Sequence, residues 1–227
     1  MTYASLKAVL ENYLAGDWRA DVALMTGDLI QDDSDGAYEH FRQLLGRLRL
    51  PVYCLPGNHD IRAKMREVLA KPPFHYLTAY ESHNWLIANI DSCVDGLAGG
   101  RITGPEFARL DKIIRKTAAA HIMVCLHHPP VPMGSTWLDT VGLEDGAAFL
   151  RRLEAYGNVR IVAFGHVHQD YSIDHGSIRV VATPSTCRQF ERGSECFAVD
   201  ELPPAYRRFY LYPDGHFDNK LVWVNDA

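Results

Sequence analysis

Four short clusters of aspartate, asparagine and histidine in this sequence have residue types that bind metal ions. They are Gly27-Asp28, Gly57-Asn58-His59-Asp60, His127-His128 and Gly165-His166-Val167-His168. Carboxylate, amide and imidazole ligands without thiolate suit manganese, iron or zinc in a reactive centre rather than a structural zinc–cysteine site. Glycines beside the candidate ligands allow the tight turns that bring side chains to the mouth of a strand. The clusters therefore indicate a metal site built from several parts of the chain.

Each cluster follows a short apolar run that is typical of a strand. The strand runs are Val22–Met25, Pro51–Leu55, Trp85–Ile90, Ile122–Leu126 and Val159–Phe164. Apolar residues recur at helical spacing in the segments between them, which predicts helices at Leu6–Leu14, Ala37–Leu48, Ile61–Ala70, Pro105–Ala118 and Leu143–Ala155. Because ligands gather at the carboxyl ends of strands in α/β sheets, the clusters stand where such a site is expected.

The last third of the chain changes to strands alone. Strands are predicted at Ile178–Thr183, at Cys196–Val199 and from Phe209 to Val224, where Pro213-Asp214-Gly215 makes a hairpin turn. Alternating strands and helices followed by a β-rich tail predict an α/β fold of two packed sheets flanked by helices. No repeat, linker or low-complexity stretch interrupts the pattern, so residues 1–227 are expected to form a single domain.

Composition narrows the class of protein. The chain has 227 residues, is 47% hydrophobic and carries a formal net charge of −5, which suits a globular protein and argues against nucleic acid or an anionic membrane as partner. No apolar stretch approaches the roughly 20 residues of a membrane span, and no signal-peptide pattern is present. The cysteines (Cys54, Cys93, Cys125, Cys187 and Cys196) form no CxxC pair. Reduced thiols and a cytoplasmic location are therefore expected.

In order and spacing, the clusters resemble the calcineurin-like metallophosphoesterase superfamily, whose pattern is Asp-x-His, Gly-Asp, Gly-Asn-His-Asp/Glu, His and Gly-His-x-His. The longer stretches "TGDLIQDDSDGAYEHF", "LPGNHD", "LHHPPVPMGSTWLD", "GHVHQ" and "ATPSTCRQF" resemble its bacterial class III cyclic AMP phosphodiesterases. The resemblance runs from about residue 4 to the C-terminal hairpin. It implies a four-layer αββα sandwich, two packed mixed β-sheets flanked by helices.

The resemblance also implies a role for each site residue. Asp28 would bridge two metal ions, Asn58, His127 and His166 would complete the second metal's ligands, and His168 would reach the first metal. His128 would be a neighbour and not a ligand. His59 would face the substrate, as a general acid on the leaving oxygen or by stabilising charge on the phosphoryl group, and Asp60 would orient its imidazole. Asn58, His59 and His168 would contact the substrate.

The implied reaction is hydrolysis of 3',5'-cyclic AMP to 5'-AMP by attack of a metal-bound hydroxide, with two metals clamping the phosphate. Iron and manganese are the expected metals, with zinc as an alternative. The partner is then a small cyclic nucleotide, bound by a monomer or a homodimer.

The sequence departs from the family at its first motif. No Asp-x-His follows a first strand, and Met1 stands where the helix after that strand is expected. Asp214-Gly215-His216 has the right letters but lies in the predicted hairpin turn. The first metal site would then keep only Asp28 and His168, and the fold would lack the family's first strand. The expectation is a chain that is N-terminally truncated relative to the family.

Two other functions remain open from the sequence. A broad-specificity phosphodiesterase or nucleotide pyrophosphatase would use the same ligands, although Trp137-Leu138-Asp139 and Pro184-Ser185-Thr186-Cys187 favour the cyclic nucleotide subfamily. A catalytically impaired fragment that binds metal or nucleotide is favoured by the missing motif. Serine hydrolysis and P-loop chemistry are disfavoured, because neither Gly-x-Ser-x-Gly nor a glycine-rich loop with Lys-Ser/Thr is present.

Overall fold

The computed structural model describes residues 2–31 and 36–225. Its helices are α1 (Thr2–Ala15), α2 (Ala37–Leu45, continued by a 3-10 turn at Gly46–Leu48), α3 (Arg62–Leu69), α4 (Gly104–Lys116), α5 (Thr136–Asp139) and α6 (Gly146–Glu154). Its strands are β1 (Ala23–Met25), β2 (Val52–Cys54), β3 (Phe74–Tyr76), β4 (Ala79–Ser82), β5 (Trp85–Asn89), β6 (His121–Leu126), β7 (Val159–Phe164), β8 (Tyr171–His175), β9 (Ile178–Ala182), β10 (Gln189–Phe190), β11 (Val199–Asp200), β12 (Ala205–Leu211) and β13 (Phe217–Trp223).

The strands form two principal sheets. One is parallel, in the order β1-β2-β3, with Leu24 opposite Tyr53. The other has the order β4-β5-β6-β7-β9-β8, in which β5, β6, β7 and β9 run parallel and the edge strands β4 and β8 run antiparallel to their neighbours. Two antiparallel pairs, β10-β11 and β12-β13, complete the strands.

Alternation along the strands explains why the sheets pack face to face. On β6, Val124 faces a core shared with helices α4 and α6, whereas Met123 and Cys125 face a second core between the two sheets. A third core lies between the three-stranded sheet and helices α1, α2 and α3. Three cores separate four layers, which confirms the predicted fold of two packed sheets flanked by helices.

The buried strands are continuous apolar runs because both of their faces are covered. All six residues of β6 are buried, and so are all three of β2. By contrast, the three residues of β1, at the edge of its sheet, are only half-buried. Runs of this kind are the strongest sequence signal for a central strand, and the predicted bounds of β6 and β7 agree with the structure within one residue.

The strands absent from the prediction are short or lie at edges. β3 is interrupted by the polar His75, β10 has two residues, and β8 alternates between half-buried and exposed positions at the rim of its sheet. The predicted strand Cys196–Val199 is wrong in position, since the strand there is β11. The C-terminal hairpin is confirmed, with its turn between β12 and β13.

The hairpin packs onto helix α1 and onto the core between the sheets. Trp18, just beyond α1, makes an edge contact with Tyr210 and lies beneath the Arg208 guanidinium. Phe209 and Phe217 pack against the core between the sheets. The apolar face of the hairpin is therefore used within the chain.

Candidate metal centre

The candidate ligands follow four strands whose carboxyl ends meet across the two sheets. Asp28 follows β1 and Asn58 follows β2 in the three-stranded sheet, while His127 follows β6 and His166 follows β7 in the six-stranded sheet. The Nδ1–H of His127 donates a hydrogen bond of 2.8 Å to the carbonyl of Thr26, which ties the two sheets together at this point. The candidate metal site therefore lies where the three-stranded and six-stranded sheets meet.

Four donor atoms from these four segments converge at His127. Its Nε2 lies 3.1 Å from Asn58 Oδ1, 3.0 Å from His166 Nδ1 and 3.3 Å from Asp28 Oδ2. The His127 side chain is only 1% exposed and that of Asp28 is 19% exposed. The fold therefore brings together four of the ligands that the sequence predicts.

The hydrogen bonds show which nitrogen of His127 is available. Because Nδ1 carries the proton donated to Thr26, the lone pair of Nε2 points toward the other donors, an arrangement that protein backbones commonly impose on metal-binding histidines. The Nε2 of His166 is buried and has no partner among the described residues. One carboxylate, one amide oxygen and two imidazoles fit a transition-metal cation of intermediate hardness.

His168 and His59 lie at the rim of this group. The Nδ1–H of His168 donates to the Arg188 carbonyl at 2.8 Å, which leaves its Nε2 as the ligand atom. The His59 side chain is exposed, while its backbone N–H donates to Asp28 Oδ1 at 3.0 Å. This hydrogen bond fixes the backbone of His59 against the Asp28 carboxylate, with the imidazole exposed to solvent at the edge of the group.

Burial and charge set the protonation states of the ligands. Burial by itself would raise the pKa of Asp28, but the charge of His127 and its hydrogen bonds hold that pKa well below its usual range. Burial, together with the charge of His127, lowers the pKa of His166 well below its usual value. Burial lowers the pKa of His168 to about 4. The Asp28 carboxylate is therefore ionised and the imidazoles of His166 and His168 are neutral near pH 7, as metal ligands must be. Burial opposes the charged form of His127, but the charge of Asp28 and its hydrogen bond raise the pKa of that imidazole, so a metal at Nε2 would displace a proton shared with Asp28.

The backbone at three of these residues is in a conformation that side chains disfavour. Six non-glycine residues of the described part have a positive φ, and three of them are Asp28 (55°), His166 (60°) and His168 (51°). Such conformations cost about 1–3 kcal/mol each and persist where the surroundings hold them, most often at functional sites. The strain therefore falls on candidate ligands.

Asp60 does not have the expected contact with the His59 imidazole. Its carboxylate accepts hydrogen bonds from the backbone N–H groups of Gly57 (2.9 Å) and Leu29 (3.2 Å) and from the Tyr38 hydroxyl (2.9 Å). The Tyr38 hydroxyl in turn accepts from the Ile61 N–H at 2.8 Å. Within the described residues, Asp60 therefore fixes the loops after β1 and β2 relative to each other, and the expectation that it orients His59 is corrected.

His128 is held by hydrogen bonds of its own. Ser92 Oγ accepts from the backbone N–H of His127 and of His128, so its own proton goes to His128 Nδ1 at 2.8 Å. The Nε2–H of His128 then donates to the Ala98 carbonyl at 3.1 Å. Ligand nitrogens of His127, His128 and His166 lie within 4.8 Å of one another, close enough for one cation. However, both nitrogens of His128 are engaged, which favours a structural role.

This arrangement predicts an acid sensitivity that His128 contributes. Burial, with the charge of His127, lowers the pKa of His128 to about 3. The unfolded state, with a pKa of about 6.5, then binds more protons, so stability falls as pH falls from about 6.5 toward about 3 by up to about 1.4 kcal/mol per pH unit. Urea midpoints of chelator-treated protein should decline over this range, and less steeply in His128→Gln. Equal slopes for the two proteins would contradict the assignment.

Comparisons with known proteins show the family of this chain. Residues 2–170 match the family described as calcineurin-like phosphoesterase. The chain is 35% identical, over 97% of its length and 81% of the relative's, to the 3',5'-cyclic adenosine monophosphate phosphodiesterase CpdA of Vibrio vulnificus (strain CMCP6). It is 34% identical to the CpdA of Pseudomonas aeruginosa, over 100% of this chain and 83% of that one. The chain belongs to the calcineurin-like phosphoesterase family.

The fold agrees with solved structures at much lower identity. A dimetal phosphatase from Danio rerio aligns with a TM-score of 0.63 at 13% identity, covering 98% of this chain and 89% of that one. A protein from Thermus thermophilus aligns with a TM-score of 0.58 at 17% identity, covering 83% of this chain and 87% of that one. Members of the family hold a dinuclear metal site. In the described residues, no helix is long and apolar enough to span a bilayer.

Proposed function

We propose that this chain is a metal-dependent phosphodiesterase that hydrolyses 3',5'-cyclic AMP to 5'-AMP. The observation that carries the proposal is the convergence of Asp28, Asn58, His127 and His166 on one point. Relatives named as cyclic AMP phosphodiesterases, similar over nearly the whole chain, support the substrate.

The chain's donors divide into two unequal sets. Asp28, Asn58, His127 and His166 would hold one metal, and Asp28 with His168 would hold part of the other. When bound, the metals supply Lewis acidity and neutralise charge that develops on the phosphoryl oxygens. This matters because the chain is negatively charged overall, at −5. We propose iron and manganese as the metals, with zinc as the alternative.

The chain's own residues bind and orient the substrate and move one proton. His59, whose backbone N–H donates to Asp28 and whose imidazole is exposed, would donate a proton to the leaving 3'-oxygen or stabilise charge on the phosphoryl group. Asn58 and His168 contact the same phosphoryl group. Asp60 serves the site indirectly, because its hydrogen bonds to the Gly57 and Leu29 N–H groups hold the loops that carry Asn58 and Asp28.

The small number of donors for the first metal leaves a second function open. Among the described residues, only Asp28 and His168 are candidates for the first metal, and Asp214-Gly215-His216 lies in the hairpin turn, where Asp214 accepts from the His216 N–H. A metal- or nucleotide-binding domain with impaired catalysis is favoured by this shortage of donors. A broader phosphodiesterase or nucleotide pyrophosphatase would use the same residues.

We propose that the chain acts as one domain, residues 1–227, in the cytoplasm, as a monomer or homodimer without nucleic acid or membrane as partner. The free thiols support this compartment: Cys54, Cys93 and Cys125 are buried, Cys187 is half-buried and Cys196 is exposed. The negative net charge supports the choice of partner.

Metal removal tests the proposal directly. With excess Mn²⁺, the chain is expected to release 5'-AMP from cyclic AMP, and a chelator should abolish release until Mn²⁺ is restored. Metal at about 100 times its Kd should also raise the free energy of unfolding by about 2.7 kcal/mol. Parallel assays with 2',3'-cyclic AMP and bis(p-nitrophenyl) phosphate separate the enzyme functions. Stabilisation by Mn²⁺ without turnover of any of these would favour the binding domain.

A further inference from the structure

We propose that Trp137, Phe190 and Phe197, hereafter the aromatic cluster, form the surface on which the base of the nucleotide stacks. The inference rests on the proposed function, because it places a base beside a site that holds a phosphoryl group. It assigns specificity for nucleotides over other phosphodiesters to residues outside the metal centre.

The aromatic cluster is continuous with the metal centre. The Phe190 ring stacks on His168 with ring centroids 4.1 Å apart and planes 8° apart. His168 is also held by the Arg188 carbonyl. A ligand whose phosphoryl group lies at His168 therefore has aromatic rings next to it. In a 3',5'-cyclic nucleotide, a single ribose separates the phosphoryl group from the base.

The rings of the aromatic cluster contact one another edge to face. Centroid distances are 5.2 Å between Trp137 and Phe190 and 5.4 Å from Phe197 to each of the other two rings. Phe197 is 64% exposed, and Val199, which pairs with Phe190 across β10 and β11, is 42% exposed. Apolar surface left in water beside a polar site is typical of a place where an apolar part of a ligand binds.

The aromatic cluster also holds an unsatisfied donor. The Trp137 indole N–H is buried and has no acceptor among the described residues. Buried polar groups are normally hydrogen-bonded, so an unpaired one needs an explanation. Ring nitrogens of a purine are acceptors. A purine stacked against the aromatic cluster would bring such an acceptor to the indole edge.

The loops that carry the aromatic cluster are fastened to each other and to the metal loop. Ser135 Oγ donates to the Ser194 carbonyl at 2.6 Å, which links the loop before Trp137 to the loop before Phe197. The buried amide of Gln169, one residue after His168, donates to the carbonyl of Phe190 at 3.3 Å. The stacking surface is therefore positioned relative to His168 before any ligand binds.

Binding of 5'-AMP and of ribose 5-phosphate to the Mn²⁺-loaded chain tests the proposal. The two ligands share the phosphate and ribose but differ in the base. The wild type should bind 5'-AMP more tightly, and Phe197→Ala should weaken 5'-AMP binding roughly 5- to 100-fold while leaving ribose 5-phosphate unchanged. Phe197→Tyr should retain the affinity for 5'-AMP, since the ring remains. Tyr3→Ala is the matched control, because Tyr3 is an aromatic residue of similar exposure, 59%, on helix α1.

The outcomes separate this inference from the proposed function. Equal affinities of the wild type for the two ligands, or an equal effect of Phe197→Ala on both, would overturn the stacking surface. Turnover provides the second readout, with ribose 3',5'-cyclic phosphate as the baseless substrate. Hydrolysis of it and of cyclic AMP at equal kcat/KM would overturn the stacking surface and leave the phosphodiesterase standing. Base-dependent binding without any turnover would support the stacking surface and contradict the phosphodiesterase.

Discussion

Replacing His59 by alanine is expected to lower turnover of cyclic AMP by roughly 10²- to 10⁴-fold, the usual contribution of a positioned general acid. Affinity for Mn²⁺ should stay close to that of the wild type. The reason is that His59 contacts the candidate ligand Asp28 through its backbone N–H, at 3.0 Å to Oδ1, and an alanine keeps that hydrogen bond. Steady-state release of 5'-AMP and a calorimetric Mn²⁺ titration measure the two effects separately.

The leaving group distinguishes the two roles open to His59. A general acid matters most when the leaving oxygen is strongly basic, as the ribose 3'-oxygen is. Hydrolysis of bis(p-nitrophenyl) phosphate, which releases a weakly basic phenolate, should then lose far less in His59→Ala. An equal loss with both substrates would assign His59 to stabilising charge on the phosphoryl group. The matched control is His40→Ala, because His40 is an exposed histidine on helix α2, and its turnover should equal that of the wild type. Parallel losses of turnover and Mn²⁺ affinity in His59→Ala would contradict a substrate-facing role.

Much of the fold follows from apolar runs in the sequence. Strands β6 and β7 are nearly continuous apolar segments, because each is covered by helices on one face and by the other sheet on the opposite face. Residues 74–76 carry no such signal, because the polar His75 interrupts the apolar residues there. The position of β3 at the edge of the three-stranded sheet depends on its pairing with β2, which only the folded chain shows.

The sequence predicts the candidate ligands but not the residues that hold them in place. Asp28, Asn58, His127 and His166 could be named from motif order, and the structure places their donor atoms within 3.3 Å of His127 Nε2. The partners that hold them could not be named. Thr26 is 101 residues from His127, and Ser92 is 36 residues from His128, and neither residue type at those separations carries a signal.

The role of Asp60 shows why a motif does not determine contacts. The order of residues predicts that Asp60 serves His59, but residues 57–60 form a tight turn, closed by the hydrogen bond of 3.1 Å from the Asp60 N–H to the Gly57 carbonyl, and the two side chains leave the turn on different sides. The carboxylate turns inward, to the Tyr38 hydroxyl and the backbone N–H groups of Gly57 and Leu29, while the His59 side chain faces solvent. Burial raises the pKa of Asp60, which these hydrogen bonds oppose. A buried carboxylate that joins two loops can be recognised only once both loops are in place.

Replacing Gly57 by alanine is expected to reduce turnover by about 10²-fold or more, although Gly57 has no side chain to bind metal or substrate. A Cβ at this position would lie 2.7 Å from Asp28 Cγ, and closer still to its Oδ1 and backbone nitrogen. Gly57 is not one of the glycines with positive φ, so the conflict is one of space alone. The backbone of Asp28 cannot yield easily, because its own φ of 55° is already strained. The carboxylate should therefore move away from His127 and Asn58.

Gly57→Ala should lower the free energy of unfolding only modestly, although it lowers turnover strongly. Overpacking costs about 1–3 kcal/mol, against a typical total stability of about 5–15 kcal/mol, so Gly57→Ala should remain folded. A displacement of about 1 Å is enough to cost about 10²-fold in rate when the displaced group positions the reaction. Gly46→Ala is the matched control: Gly46 has φ −58°, and no atom lies within 4 Å of the position that an added methyl group would take. That variant should keep wild-type turnover, with a urea midpoint unchanged or slightly higher. Wild-type turnover and Mn²⁺ affinity in Gly57→Ala would show that the close approach of the two loops does not set the position of Asp28.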